Sequence, residues 1–315
     1  MRFGKIVAVA ACALVLAGCE RRQSAEPPQV VVAARPGAAL ELRLATFNVR
    51  YENEEDRGER NWRARLLPAV KAIRAMQPDV FGVQEALHGQ VADLRASLPE
   101  FGFHGIGRDD GGRAGEYSGI FFRADRFEPD RSDAGTFWLS DTPETPGSKT
   151  WGNEIPRIAA WIRLVDRTTG RGFYVFNTHW DHRNQASRER AALLLSERID
   201  GRRQAGEPVV LTGDFNAVEA NAAVAYLRGK PVTLAGRPQT WANGLVDAFD
   251  ARNPGRKDRT TLHFWSGSRA GVRNVDHILV PRGSRVLAAE IFTGTAPWPS
   301  DHFPVCARIV FPPSG

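Results

Sequence analysis

The sequence predicts an α+β fold in which β-sheets pack on each other. Short strand-like patterns alternate with helical ones, and several strand patterns follow one another with no helix between them, which favours antiparallel pairing. The chain has 315 residues, 42% of them hydrophobic, so it can bury one large core or two small ones. Nothing resembles a Pro/Gly linker midway, so we predict one catalytic domain at residues 41–312.

The N-terminus has the pattern of an export signal. Arg2 and Lys5 precede an apolar run at residues 6–17, which is too short to span a bilayer as a helix. The run closes with Leu-Ala-Gly-Cys at residues 16–19, which looks like a bacterial lipobox and implies cleavage before Cys19 and lipidation of its thiol. The alternatives are a signal peptide without lipid or a short membrane anchor.

Residues 19–40 have no hydrophobic periodicity and are interpreted as a tether between the lipid and the domain. We therefore expect an exported protein held on a bacterial membrane, on the periplasmic or cell-surface side. Loss of residues 1–18 removes two basic residues and no acidic one, so the formal charge falls from +6 to +4. This excess is too weak to indicate nucleic-acid binding by itself. Cys306 is then the one cysteine left in the domain, on a strand pattern typical of a structural cysteine.

Three segments have helical spacing. Residues 62–75 place Trp62, Leu66, Val70 and Ile73 on one face and stop before Pro78. Residues 90–97 form a short second helix that Pro99 bounds, and residues 187–198 form the clearest helix. The strand candidates are residues 42–47, 79–83, 118–122, 158–165, 173–177, 209–211, 260–265, 275–280 and 306–311.

Polar side chains stand at the ends of four of these apolar strands. They are Asn48, Gln84-Glu85, Asn177-Thr178-His179 and Gly213-Asp214-Phe215-Asn216, and the pairs Asp276-His277 and Asp301-His302 follow. Carboxylates are seldom buried without a partner or a metal, so we expect these groups to converge. Oxygen ligands and histidines without cysteine suit Mg²⁺, Mn²⁺ or Ca²⁺ acting on a phosphate ester. The sequence therefore predicts a metal-dependent phosphoesterase.

These motifs, in this order, resemble the endonuclease/exonuclease/phosphatase superfamily, from about residue 42 to residue 311. That group includes deoxyribonucleases, abasic-site endonucleases, sphingomyelinases and inositol polyphosphate phosphatases. The resemblance implies a four-layer α/β/β/α architecture: a sandwich of two mixed sheets flanked by helices, with the active site at one end.

The resemblance also implies roles for individual residues. Glu85 would be the principal metal ligand, with Asn48 beside it and Asp301 lending a further carboxylate. Asp214 would position or deprotonate the attacking water, which the metal activates. His302, oriented by Asp276, would stabilise charge on the phosphoryl group or protonate the leaving oxygen. The phosphate contacts would come from His179, Asn216, Arg157 and Tyr117.

Several alternatives stay open. Asn48 could cap a turn, and Glu85 and Asp214 could be solvated loop acids. His277, on the opposite strand face, is interpreted as structural, as are His88, His104 and His263, whereas His182 is an alternative substrate contact. A calcineurin-like phosphoesterase is disfavoured because its Asp-x-His and Gly-Asn-His motifs are absent from the sequence.

The substrate is a phosphoester of unassigned class, mono- or diester, and we expect a monomer. An extracellular or periplasmic nuclease, with nucleic acid as partner, is the alternative enzyme. A lipid-tethered, non-catalytic binding protein on the same scaffold is the alternative of another class.

Overall fold

The computed structural model describes Met1 and residues 38–313, and its fold runs from Leu40 to Phe311. One six-stranded sheet has the order β13-β14-β1-β2-β4-β3. Its strands are β1 (Leu40–Asn48), β2 (Val80–Ala86), β3 (Phe101–His104), β4 (Tyr117–Arg123), β13 (Arg285–Ile291) and β14 (Val305–Phe311). Within it, β1 and β2 are parallel and the other pairs are antiparallel.

The second six-stranded sheet has the order β11-β12-β8-β7-β6-β5. Its strands are β5 (Phe127–Trp138), β6 (Ile158–Asp166), β7 (Gly172–His179), β8 (Val209–Asp214), β11 (Val246–Asp247) and β12 (Asp276–Val280). Only β7 and β8 are parallel here. A separate hairpin joins β9 (Val232–Leu234) to β10 (Arg237–Gln239). The helices are α1 (Trp62–Met76), α2 (His88–Ser97), α3 (Gln185–Asp200), α4 (Ala222–Leu227) and α5 (Ala248–Arg252), with a 3₁₀ turn at Gly58–Arg60.

Three hydrophobic clusters hold four layers together. The cluster between the sheets takes side chains from both, such as Leu44 and Ile309 of the first and Val175 and Val210 of the second. A second cluster packs α3 and α4 on the outer face of the second sheet, and a third packs α1 and α2 on the outer face of the first. The predicted α/β/β/α sandwich is confirmed.

The three predicted helices are confirmed, with longer bounds than expected. Asn61 caps α1 by accepting a hydrogen bond from the Arg63 backbone N–H, and Gln77 ends the helix in a left-handed conformation with φ 48°. Asn184 caps α3 in the same way through the backbone N–H of Ser187. These caps add one or two residues beyond the apolar periodicity.

The predicted strand at residues 260–265 is wrong. The structure describes this whole segment and shows one isolated bridge in it, between Leu262 and His302. Phe264 and Trp265 have φ of 48° and 64°, which ends the extended backbone that the apolar pattern indicated.

Six of the described strands were not predicted: β9 and β10 of the separate hairpin, and β3, β5, β11 and β13, which are the edge strands of the two large sheets. A strand at a sheet edge has one neighbour and can carry polar residues on its open side. In addition, β5 and β13 each contain a register irregularity, between Asp130 and Ala134 and between Val286 and Ala288, which breaks the alternation.

A polar seam joins the two sheets beneath the strand ends. Asn177 of β7 donates to the backbone oxygens of Val83 and Gly119 in the first sheet, both at 2.9 Å, and accepts from Gln84 Nε2 at 2.7 Å. Gly82 is required here, because a Cβ on it would lie 2.4 Å from Asn177 Oδ1. The Asn177 amide, bonded through both its nitrogen and its oxygen, fixes how the sheets align, and with them the strand ends above.

The fold runs from Leu40 to Phe311, and the predicted domain from residue 41 to residue 312. Residues 2–18 of the predicted signal peptide and residues 19–37 of the predicted tether lie outside the described residues. Within the part of the chain that is described, no helix has the length and apolar character to cross a membrane.

Candidate active site

The polar side chains at the strand ends meet at one end of the sandwich. In the second sheet, Asp214 pairs with His179 on one side and with Asp276 on the other. Asn48 ends β1 in the first sheet and reaches across to both Glu85 and Asp214. The predicted convergence of these residues is therefore present.

Glu85 is aimed at the site by an irregularity in its strand. The register of β2 against β4 shifts between Val83 and Ala86, and Glu85 has a left-handed φ of 66°. Such a bulge turns a side chain away from the regular alternation. The Glu85 carboxylate then accepts from Asn48 Nδ2 at 2.9 Å and from the Tyr51 backbone N–H at 3.2 Å.

The carboxylate of Asp214 is the centre of the site. Its Oδ2 accepts from Asn48 Nδ2 at 2.9 Å and lies 3.6 Å from His179 Nε2 and 3.8 Å from His302 Nε2. The side chain is 1% exposed. Burial and the neighbouring Asp276 raise the pKa of Asp214. Its other oxygen accepts from the Asn216 backbone N–H at 2.8 Å, which fixes its orientation.

His302 is oriented by Asp276, as predicted from the resemblance. Its Nδ1 lies 2.8 Å from Asp276 Oδ2, so Nδ1–H donates and Nε2 faces Asp214. Burial by itself lowers the pKa of His302, but the charge of Asp276 and the hydrogen bond to it raise that pKa well above its usual value. The arrangement can hold a proton on Nε2 for an oxygen of a substrate.

The second histidine of the site, His179, lies beside the carboxylate of Glu116, a residue that the sequence analysis did not predict. His179 Nε2 contacts Asn216 Nδ2 at 3.0 Å, and His179 Nδ1 lies 3.5 Å from Glu116 Oε2. Burial, and then the charge of Arg157, lower the pKa of His179 to about 3. Glu116 stands one residue before Tyr117, which begins β4. A carboxylate next to this predicted site residue was the signal in the sequence that could have identified Glu116.

Arg157 is a buried cation with free hydrogen-bond donors. It is 3% exposed, and its Nη2 contacts His182 Nδ1 at 3.1 Å. Its Nε and Nη1 have no hydrogen-bond acceptor among the described residues, and Glu116, 4.0 Å from Nη1, is held by both terminal nitrogens of Arg108. Burial and the like charge of Arg108 lower the pKa of Arg157. Two such donors suit an anion.

Two of the expected site residues, Asp301 and Tyr117, form their described side-chain hydrogen bonds away from Asp214. The Asp301 carboxylate is buried and accepts from Ser300 Oγ at 3.3 Å. Burial raises its pKa although His302 lowers it. The Tyr117 hydroxyl donates to the Gly112 oxygen and lies 3.1 Å from His88 Nδ1, and its ring belongs to the cluster under α1 and α2. The described contacts of this hydroxyl therefore link it to the 105–116 loop rather than to the site carboxylates.

His277, interpreted as structural, lies on the opposite face of β12 from Asp276. Its Nδ1 contacts Asp247 Oδ2 at 2.7 Å and its Nε2 contacts the Ala217 oxygen at 2.9 Å. His263 is also buried and stacks on Phe303, with 3.9 Å between ring centroids. Cys306 Sγ donates to Glu290 at 3.6 Å, and burial raises its pKa to about 12, as expected of a structural thiol.

The donor set fits a divalent cation. Within residues 38–313, two groups of three side chains bring their ligand atoms within 4.8 Å of one another: Glu85, His179 and Asp214, and Asp214, Asp276 and His302. Two further carboxylates, those of Glu85 and Asp276, thus flank Asp214, and a cation would offset the charge of all three. Asn48 turns its nitrogen to the carboxylates while its oxygen accepts from the Arg50 backbone N–H, so the amide would rotate to become a ligand. Asp301 belongs to neither group.

Comparisons with known proteins agree with this geometry. A model described as the endonuclease/exonuclease/phosphatase family matches residues 45–302. A solved endonuclease/exonuclease/phosphatase from Bacteroides vulgatus is 34% identical, with a TM-score of 0.76, and the match covers 86% of this chain and 98% of that one.

Two further relatives were found. A mannosyl-6-phosphatase of Bacteroides thetaiotaomicron is 31% identical with a TM-score of 0.75, over 86% of this chain and 100% of that one. An uncharacterised protein of Acanthamoeba polyphaga mimivirus is 35% identical over 82 residues, or 25% of this chain. The chain spans about 30% of the length of that curated relative.

Proposed function

This chain belongs to the endonuclease/exonuclease/phosphatase family, and on that premise we propose that it is a divalent-metal-dependent hydrolase of small phosphomonoesters such as sugar phosphates. The observation that carries the proposal is Asp214, buried between His179 and His302 and bonded to the same amide as Glu85. This arrangement would supply hard ligands, a general base and a proton donor within one cluster of side chains.

Glu85 and Asp214 would hold the cation, with His179, and with Asn48 after rotation of its amide. A bound Mg²⁺, Mn²⁺ or Ca²⁺ would polarise the phosphoryl oxygen and lower the pKa of the attacking water. Asp214 would position that water and accept its proton. His302, held by Asp276, would donate from Nε2 to the leaving oxygen, while Asn216 keeps His179 in orientation.

The preference for a monoester rests on Arg157. A phosphomonoester carries more negative charge than a diester and has three free oxygens that need donors. Arg157 offers two N–H groups without an acceptor among residues 38–313, in a buried place where a charge-assisted hydrogen bond is strong. The mannosyl-6-phosphatase among the relatives supports this substrate class.

A nuclease is the second enzyme candidate, and the surface charges disfavour it. Several exposed arginines are paired with acids, for instance Arg123 with Asp125 and Arg198 with Glu144. Paired cations neutralise fewer phosphates of a nucleic-acid backbone.

The deciding experiment is a panel of sugar phosphates, a phosphodiester, a phospholipid and DNA, each assayed with Mg²⁺, Mn²⁺, Ca²⁺ or a chelator. We expect metal-dependent phosphate release from the monoesters. Preferential cleavage of DNA, with a steep dependence on salt, would instead identify a nuclease.

Glu85→Gln separates a catalyst from a binding protein on the same scaffold. An amide holds a divalent cation poorly, so turnover should fall about 100-fold or more. Glu128→Gln, the same change at an exposed position of β5, is the control and should turn over normally. Equal rates for Glu85→Gln and the wild type at low metal concentration would remove Glu85 from the metal site.

We further propose that the enzyme is exported and anchored through a lipid on Cys19. The apolar run and the Leu-Ala-Gly-Cys motif support this.

A further inference from the structure

An exposed aromatic residue, Phe264, lies on the segment beside His302 that the sequence marked as a strand. We call this segment, residues 260–265, the rim. Residues 260–264 run beside the catalytic histidine, and Leu262 forms a β-bridge with His302. The backbone N–H groups of His263 and Phe264 both donate to the backbone oxygen of Asp301, at 2.9 and 3.2 Å. A backbone hydrogen bond thus holds Phe264 against Asp301, the residue that precedes His302.

The backbone at this point is costly. Phe264 and Trp265 are consecutive residues in the left-handed region, where a bulky side chain is a genuine outlier. The strain does not serve to bury Phe264, because its side chain is 58% exposed. The exposed side chain and the strained backbone therefore both argue against a purely structural role for Phe264.

Charged neighbours complete the rim. The guanidinium carbon of Arg273 lies 5.2 Å from the centroid of the Phe264 ring, and that of Arg60 lies 5.4 Å from the Trp265 ring. Arg65 lies 5.6 Å from the same Trp265 ring and is fully buried, so it fixes this ring from beneath. Arg273 can cover one face of Phe264, which leaves the other face for a ligand.

We propose that Phe264, backed by Arg273, is a stacking platform for a ring on the leaving group of the phosphoester. The ligand chemistry is a flat ring face joined to a phosphate, either the C–H face of a sugar or the π face of a nucleobase. The inference rests on the proposed function and deepens it, because it assigns the part of the substrate beyond the phosphate.

The test compares substrates with and without a ring. Glucose 6-phosphate, adenosine monophosphate and glycerol 3-phosphate are assayed with the full chain and Mg²⁺. The wild type should favour a ring-bearing substrate, and Phe264→Ala should reduce that ratio of kcat/KM values about fivefold or more, mainly through KM. A lost advantage of glucose 6-phosphate over glycerol 3-phosphate would identify the ring as a sugar. A lost advantage of adenosine monophosphate would identify it as a nucleobase. Leu67→Ala, a similarly exposed apolar residue on α1, is the control and should keep the wild-type ratio.

Phe264→Asn separates recognition from structure. Asn tolerates the left-handed backbone, so the melting temperature should stay the same or rise by a few degrees while the ring preference is lost. Phe264→Tyr should restore the preference. An unchanged ratio in Phe264→Ala and Phe264→Asn, with active protein, would overturn the inference alone. A wild type that hydrolyses none of the three monoesters would defeat the proposed function first.

Discussion

At the scale of single residues, the site depends on hydrogen bonds that orient ionisable side chains. Asp276 aligns His302, and Asn216 and Glu116 flank the two nitrogens of His179. Each histidine thus presents Nε2 towards Asp214. The proposed chemistry depends on this common direction, since an imidazole that rotates freely would spend little time in a productive orientation.

His302→Ala and Asp276→Asn should be strongly non-additive, because Asp276 acts through the His302 ring. His302→Ala should lower kcat about 100-fold or more. The double variant should be little slower than His302→Ala alone. Initial rates of all four proteins at saturating metal measure this cycle. Defects that multiply would show that Asp276 has a separate role.

At the scale of elements, Arg65 of α1 connects the loops that carry the site. Its fully buried guanidinium donates to the backbone oxygens of Arg60, Val49 and Arg50, at 2.6, 2.6 and 3.0 Å, and to that of Pro299 at 2.9 Å. Burial lowers the pKa of Arg65 to about 10. These loops follow Asn48 and precede Asp301, so one side chain positions both.

Arg65→Lys should destabilise the protein and slow turnover together. Lysine has fewer donors and no planar fork, so buried carbonyls lose their partners, at a cost of about 2 to 4 kcal/mol in the free energy of unfolding. Denaturant unfolding and kcat measure the two effects. Arg63→Lys, on an exposed position of the same helix, is the matched control. Wild-type stability in Arg65→Lys would mean that water or the lysine satisfies these carbonyls.

Another connection between elements predicts a dependence of stability on pH. Asp247 caps α5 and bonds His277 of β12. Burial lowers the pKa of His277, but Asp247 raises it above the ordinary value overall. Burial raises the pKa of Asp247, but His277 lowers it overall. The histidine contribution is complete below about pH 6.5 and is lost as pH rises through the folded pKa; the carboxylate contribution is complete above about pH 4 and is lost as pH falls through its folded pKa.

Asp247→Asn should therefore cost most between about pH 4 and pH 6.5, roughly 1 to 3 kcal/mol, and less at pH 9. Thermal or urea unfolding across this range measures the difference from the wild type. Asp258→Asn removes an exposed carboxylate that pairs with Arg256, and as the control it should change stability little at any pH. A cost of Asp247→Asn that grows above pH 8 would contradict the assigned charge pair.

At the scale of the whole molecule, the site residues and the proposed anchor are separate in the sequence. The site residues lie between Asn48 and His302, whereas Cys19 precedes the described fold. A lipid on Cys19 would act as an anchor and take no part in the chemistry.

Cys19→Ser should therefore move the protein from the membrane fraction to a soluble or unprocessed form. Its turnover of small soluble substrates in detergent should equal that of the wild type. Fractionation, and mass spectrometry for acyl groups on residue 19, provide the measurement. A wild type that is soluble and carries no acyl mass would refute the lipoprotein proposal.

Local patterns in the sequence predicted the fold class, three of the five described helices and eight of the fourteen described strands, because apolar periodicity and caps act locally along the chain. They also predicted that Asn48, Glu85, Asp214, Asp276 and His302 would converge, since polar residues at the ends of buried strands are conspicuous in a sequence. The edge strands β3, β5, β11 and β13 escaped, because one-sided pairing tolerates polar residues.

Which of these groups touch depends on the tertiary fold. Glu116 stands 63 positions before His179 in the chain and still lies 3.5 Å from it. Arg157 Nε and Nη1 have no acceptor among residues 38–313, since Arg108 holds the neighbouring Glu116. Backbone conformation likewise turned residues 260–265 from a strand into a rim that exposes Phe264. Contacts between distant segments depend on how the two sheets pack and align, and a single sequence carries no local signal for that.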